Sequence, residues 1–205
     1  MIAFGTILSN LLLGFALPPP LYEITVAPAF YLAIAVLYPR RISFLATVIG
    51  SGVGEAVNLF VFGQGAAFAL TFIPGIIIAR SPETLIVHRF RNKTVTFRFR
   101  GKVIAFHIRG RTITLSLDNE MVIAVSMIIA TVYETLAFFL IDWPVYSYTI
   151  FYGCPANGPC LGAGLAGGFW LAFPDFFTII DLVWIPVALV LVVAVRRAYN
   201  TRYFG

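Results

Sequence analysis

The chain has 205 residues, of which 60% are hydrophobic, 16% aromatic and only 11% charged. A soluble domain carries about 25% charged residues, so the composition predicts an integral membrane protein. The formal net charge of +5 could indicate nucleic-acid binding, but basic loops facing anionic headgroups on the cytoplasmic side explain it more simply. We therefore expect membrane lipids, and no nucleic acid, among the partners.

Apolar segments in chain order predict an all-α integral membrane protein with six transmembrane helices. These segments are 2–17, 25–38, 43–62, 66–79, 121–141 and 177–195. A straight span needs about 20 residues, so the second and fourth are short, and Pro74 with Gly75 allows a break in the fourth. The N-terminus lacks a basic region and a clear cleavage site, so the first segment is expected to be a retained span.

All fourteen basic residues fit on one side of the membrane. They fall at 40–41, within 80–111 and within 196–202, which the positive-inside rule assigns to the cytoplasm. Both termini are then cytoplasmic, in a multi-pass protein of the cell membrane. The expected regions are helices 1–4 (1–80), a basic insert (81–120), and helices 5–6 with a long exterior loop at 142–176 (121–205).

The insert between the fourth and fifth helices has the pattern of strands. Three runs, 94–100, 102–109 and 112–118, alternate apolar and polar residues, as half-buried strands do. Arg-Gly pairs at 100–101 and 109–110 supply turns. We expect a small cytoplasmic β-meander with one apolar and one basic face.

The third span carries small residues at intervals of four, namely Ala46, Gly50 and Gly54. Such spacing lets another helix approach closely. The partner is either a helix of the same chain or a second membrane subunit that docks here.

Acids inside apolar spans indicate where function lies. Glu55, Glu134 and Asp181 belong to the third, fifth and sixth spans, and all three fall in the outer half of the bilayer. Charged groups at this depth are expensive and are usually functional. They either converge on a cationic ligand, a metal ion or a proton, or form structural hydrogen bonds between helices.

Polar and aromatic neighbours extend this candidate ligand site. Asn58 lies three residues after Glu55 on one helical face, and Tyr133 precedes Glu134. The exterior segment 143–176 is rich in glycine, proline and aromatic residues, including Trp143. It is either an interfacial anchor or a lid over a ligand cavity.

Cys154 and Cys160 bracket a short exterior loop, where an oxidising compartment allows a disulfide. His88 and His107 have no Cys or His partner at metal-ligand spacing, so no metal site is expected. Nucleophile elbows, phosphate loops and dinucleotide fingerprints are absent from the sequence. We expect neither catalytic residues nor a cofactor.

Two stretches resemble the substrate-binding S components of energy-coupling factor (ECF) transporters. They are VAPAFYLAIAVLYPR at 26–40 and IGSGVGE at 49–55, similar to the Pro-led second span and small-residue third span of that family. The resemblance implies an importer subunit that captures a small solute at the outer face, under the loops 18–25 and 142–176. It also implies a transmembrane coupling subunit and two ATPases as partners.

Two features depart from that family. The first span lacks an alanine-x-x-x-alanine docking motif, and the basic insert is longer than in the family. They favour an alternative, a non-catalytic structural or assembly subunit of a larger membrane complex, with other membrane subunits as partners.

Overall fold

The computed structural model describes residues 15–16, 23–24, 26–61, 69–91, 119–148 and 164–199, together with short paired strands between residues 95 and 117. Side chains are described in 26–57, 73–91, 120–147 and 164–199. The helices are α1 (Ala27–Leu37), α2 (Arg40–Val61), α3 (Ala69–Phe90), α4 (Asn119–Tyr148), α5 (Gly164–Ala172) and α6 (Ile185–Tyr199), with a 3-10 helix at Phe173–Trp184 between the last two. Strands β1 (Phe15–Ala16) and β2 (Glu23–Ile24) pair antiparallel before α1.

Helix α1 is a short helix at the centre of the core. Pro28 stands in its first turn, where a missing N–H costs no hydrogen bond. Tyr38 is extended (φ −107°, ψ 163°), as expected of a residue before a proline, and this ends the helix at Leu37. Nearly every residue of α1 is buried, and α1 packs against α6, α3 and α2.

Helix α3 continues through Pro82 to Phe90. A proline in a helix leaves the carbonyl four residues earlier without its usual donor. That carbonyl belongs to Ile78, and the Tyr133 hydroxyl of α4 donates to it at 3.3 Å. Packing of α3 along α4 thus satisfies the backbone group that the proline frees. The buried face of α3 therefore continues beyond residue 80.

The 3-10 helix aligns side chains at intervals of three, because it has three residues per turn. Asp175, Thr178, Asp181 and Trp184 form one such row, and each is at least partly buried. The helix packs chiefly against α4. Its polar row therefore lies against the α4 surface.

The prediction of six transmembrane helices is wrong. Among the described residues, two helical segments are long and apolar enough to cross a membrane, Glu120–Ser147 and Gly164–Tyr199. The predicted second span is the 11-residue α1, about 16 Å long at 1.5 Å per residue and buried on all sides. The predicted fourth span is part of α3, which carries Arg80 and Glu83 in its interior.

The prediction of a β-meander in the insert is also wrong. The strands form separate two-stranded ladders, in which Arg98–Phe99 pairs with Lys102–Val103 and Ala105–Ile108 pairs with Arg111–Thr114. Val95–Thr96 pairs with Ser116–Leu117. A meander pairs only strands that follow one another, whereas here the first and last strands pair with each other.

Large apolar side chains cover the outer faces of several helices. Along α2 they recur on one face at Ile42, Leu45, Ile49 and Val53, each more than 40% exposed. The segment Gly164–Tyr199 exposes many more, including Trp170 and Val190 at 68%. Exposed apolar surface on this scale marks a membrane or a protein partner. With the two apolar segments, it indicates membrane association.

Glycine at position 168 sets the distance between α5 and α4. A Cβ there would lie 2.8 Å from the backbone nitrogen of Ser147, which cannot move aside, whereas a Cβ at Gly52 would meet only the tip of the Ile77 side chain at 2.9 Å. We expect Gly168→Ala to destabilise the protein by about 1–3 kcal/mol, and Gly52→Ala by much less. Thermal unfolding of the two variants in detergent measures the difference. Equal midpoints would contradict this account of the contact.

Candidate functional site

A buried ion pair lies where α1, α3 and α4 meet. Arg80 Nε donates to Glu134 Oε1 at 3.0 Å, and the Tyr31 hydroxyl donates to Glu134 Oε2 at 3.1 Å. Tyr31 and Glu134 are at most 1% exposed. The Arg80 guanidinium also lies 5.9 Å from the centroid of the Phe138 ring, close enough for a cation–π contact. Three helices therefore supply the carboxylate, its cation and its second donor.

Glu83 brings a second carboxyl group to the same place. It is 0% exposed, and neither of its oxygens has a hydrogen-bond partner of good geometry among the described residues, although the Tyr31 hydroxyl is close to it. Asp181 of the 3-10 helix is 8% exposed and acts electrostatically on Tyr31, Arg80 and Glu83. We call these five residues the charge cluster: Tyr31, Arg80, Glu83, Glu134 and Asp181.

The charges of this cluster do not balance. It contains three carboxyl groups and one guanidinium, so full ionisation would leave two negative charges in excess. An unpaired ionised carboxylate in an apolar interior is strongly unfavourable. The excess is removed when carboxyl groups take up protons or when a cation enters. Either change would reduce the excess negative charge among these five residues.

A row of polar side chains leads from this cluster along α4. Thr178 Oγ1 donates to Thr135 Oγ1 at 3.0 Å. Two turns further along α4 lies Asp142, whose carboxyl group interacts with that of Asp175 on the 3-10 helix. Ionisable chains of this kind mark proton or ion paths in membrane proteins.

Of the predicted carboxylates, the structure brings Glu134 and Asp181 together. Glu55 is half-buried on α2 and is not among the charged groups that act on Arg80 or Glu83. The side chain of Asn58 lies outside the described residues. The ligand-binding role of these four residues stays a prediction.

Tyr133 and Trp143 make structural contacts. The Tyr133 hydroxyl donates a hydrogen bond to the Ile78 carbonyl, as described above. Trp143 Nε1 donates to the Leu165 carbonyl at 2.9 Å, and the Trp143 ring packs at 5.5–5.6 Å from the Phe139 and Phe169 rings. Trp143 thus ties the end of α4 to the start of α5. Their predicted role as ligand contacts is untested.

Sequence reasoning missed Tyr31, Arg80 and Glu83. The positive-inside rule places Arg80 in the cytoplasm, whereas the structure places it inside α3. The available signal was the helical period: Ile76, Ala79, Glu83 and Val87 share one face of α3 and are all buried. That face continues through Pro82.

The predicted docking residues Ala46, Gly50 and Gly54 are all buried within this single chain. Their helix, α2, packs along α3. Docking of a second subunit on this face stays a prediction. Cys154 and Cys160, and with them the predicted disulfide, lie outside the described residues.

Among the described residues, no group of three or more His, Cys, Asp and Glu side chains is arranged to hold a metal ion. No protein-family model, curated protein or solved structure matches this chain. The resemblance to S components therefore rests on features of the sequence, chiefly residues 26–40 and 49–55.

Proposed function

We propose that this protein is a membrane-embedded, non-enzymatic subunit that binds a small cationic solute through the charge cluster. The observation that supports this most strongly is Glu83, a fully buried carboxyl group without a hydrogen-bond partner of good geometry among the described residues. A protonated amine supplies a positive charge and N–H donors to Glu83, whose oxygens have no hydrogen-bond partner of good geometry among the described residues. Glu134 is already held by Arg80 and Tyr31, so it would orient the cluster rather than receive the solute.

The row of polar side chains along α4 supports a path for the solute or for protons. This path would begin at the end that carries Asp142 and Asp175. When the site is empty, Glu83 holds a proton, because the Arg80 guanidinium is already engaged by Glu134. Binding of a cation releases a proton in exchange, which keeps the buried charge constant. The proton leaves along the row of hydroxyl and carboxyl groups.

A panel of primary amines, each with its N-acetylated neutral counterpart, tests the proposed site by thermal unfolding of the purified protein in detergent. A ligand present at 100 times its Kd stabilises the folded state by about 2.7 kcal/mol. We expect at least one amine to raise the unfolding midpoint while its acetylated counterpart does not. Equal effects of every amine and its neutral counterpart would argue against a cation site.

The solute-binding subunit would work within an importer of the S-component type, together with a coupling subunit and ATPases. The alternative is a structural subunit of a larger membrane complex. It is favoured by the Arg80–Glu134 ion pair, which joins α3 to α4, and by the exposed apolar face of α2. Copurification separates the two: ATPases together with a bound small molecule support the importer, whereas other large membrane subunits without a small molecule support the alternative.

For orientation, we propose that the basic insert and the C-terminal end of α6 lie in the cytoplasm. The segments Glu120–Ser147 and Gly164–Tyr199 would then run in opposite directions across the membrane of the cell, with their basic ends on one side. A cysteine placed at Arg197, which is exposed, should resist a membrane-impermeant thiol reagent in intact cells, with Cys154 and Cys160 replaced by serine. Labelling before lysis that equals labelling after lysis would reverse this orientation.

A further inference from the structure

A basic cavity lies at the C-terminal end of α3. Its volume is about 830 Å³, and it is lined by Arg40 at the start of α2 and by the last turns of α3 through Arg91. In the described part of the chain, the lining contains three arginines and His88 but no acidic residue. It lies beyond Glu83 toward the end of α3 and shares no residue with the charge cluster.

Arg91 is fixed by the fold. It is 9% exposed, and its Nη1 donates to the carbonyls of Val36 at 3.2 Å and Tyr38 at 2.7 Å. These carbonyls belong to the end of α1, so Arg91 caps that helix. These two bonds hold the Arg91 guanidinium at a fixed position in the cavity wall.

Arg40 and Arg89 add two further charges, and both side chains are exposed. Burial, Arg91 and Arg40 lower the pKa of His88, which shows that the arginine charges act on the interior of the cavity. His88 Nε2 is buried and has no hydrogen-bond partner among the described residues. A neutral imidazole at this position offers a hydrogen bond to a bound group.

The helix dipoles do not determine the net charge of this cavity. The N-terminus of α2 and the C-terminus of α3 both adjoin it, and their partial charges of about +0.5 and −0.5 offset each other. Among the described residues, the lining holds three arginines and no carboxylate. An anion that enters the cavity removes their mutual repulsion.

We propose that this cavity binds a phosphate-bearing anion, through Arg40 and Arg89 at its mouth and Arg91 with His88 in its wall. Guanidinium groups match the geometry of phosphate oxygens, which they bind in a bidentate manner. The volume is in the range of small-molecule sites, about 300–1,000 Å³. The phosphate comes either from an anionic lipid headgroup, as in basic pockets between membrane helices, or from a free phosphate compound.

The test uses the purified full-length protein and the double variant Arg40→Gln/Arg89→Gln, which alters only exposed side chains. The control is Arg41→Gln, because Arg41 is exposed beside Arg40 but does not belong to the cavity lining. Binding is measured by native mass spectrometry with short-chain phosphatidylglycerol, with phosphatidylcholine of equal chain length, and by calorimetry with inorganic phosphate. Unfolding midpoints show that each variant is folded.

We expect the double variant to weaken binding on the order of tenfold or more, and Arg41→Gln to change it less than twofold. Preference for phosphatidylglycerol over both other probes identifies a lipid headgroup, and binding of inorganic phosphate identifies a free anion. The proposal is overturned if the wild type binds neither anion, or if Arg41→Gln weakens binding as much as the double variant does. Equal binding of phosphatidylcholine and phosphatidylglycerol would also overturn the proposal.

Discussion

Replacing Arg80 by leucine is expected to destabilise the protein by about 3–5 kcal/mol. The substitution removes the only cation of the charge cluster and the 3.0 Å bond to Glu134, and it leaves three carboxyl groups in a buried site. Breaking one side of a buried ion pair costs far more than the pair contributes, because the remaining charge is uncompensated. Chemical denaturation in detergent, with retained helicity as the readout, measures the loss.

The matched control removes both partners. Arg80→Leu/Glu134→Leu takes away the orphaned carboxylate as well as the cation, so it should recover a large part of the stability lost by Arg80→Leu alone. Tyr31 would then lose its acceptor, which limits the recovery. If the losses in unfolding free energy of Arg80→Leu and Glu134→Leu simply add in the double variant, the two residues do not stabilise each other.

Replacing Glu83 by glutamine should leave the fold almost unchanged but remove cation binding. Glutamine has the shape of a protonated glutamate and carries no charge, so the empty site keeps its packing, and we expect a stability change within about 1 kcal/mol. A bound cation, however, loses its counter-charge at a desolvated position, an effect of about 2–5 kcal/mol on binding. The amine that stabilises the wild type most in thermal unfolding provides the measurement.

Glu120→Gln is the control for this prediction, since Glu120 is an exposed acid at the start of α4. It changes the net charge by the same amount and lies at the surface. We expect its response to the amine to match that of the wild type. If Glu83→Gln unfolds the protein while Glu120→Gln does not, the buried carboxylate is a counter-charge within the fold, and the binding account fails.

The sequence indicated two of the five residues of the charge cluster. Acids inside apolar segments are rare enough to stand out, and this criterion found Glu134 and Asp181. It did not separate them from Glu55, because depth along a helix says nothing about the side of the helix on which a residue lies. That side is set by which helices pack together, and α2 packs along α3 rather than against the 3-10 helix.

Arg80 and Glu83 were missed because the positive-inside rule assigns arginines to cytoplasmic loops. Arg80 instead lies inside helix α3. The sequence Arg80-Ser-Pro-Glu83 reads as a loop by composition, and prolines usually mark helix boundaries. Here α4 supplies the Tyr133 hydroxyl to the Ile78 carbonyl that Pro82 frees, so the helix continues. This donor comes from another helix, so no local sequence pattern could have predicted that α3 continues through Pro82.

The number of spans failed for a related reason. Hydrophobicity identifies residues that avoid water, but it does not distinguish burial in protein from burial in lipid. Helix α1 is apolar because it is surrounded by other helices, whereas Gly164–Tyr199 is apolar and largely exposed. The predicted exterior loop at 142–176 in turn overlaps the end of α4 and the start of that long helical segment.

Native mass spectrometry of protein purified directly from its membrane, compared between the wild type, Glu83→Gln and Glu120→Gln, tests the cation site most directly. We expect a small molecule with at least one amine or other cationic group to accompany the wild type and Glu120→Gln, and to be absent from Glu83→Gln. A wild-type protein that carries no small molecule, or an equal amount of the same molecule on Glu83→Gln, would contradict a solute site in the charge cluster.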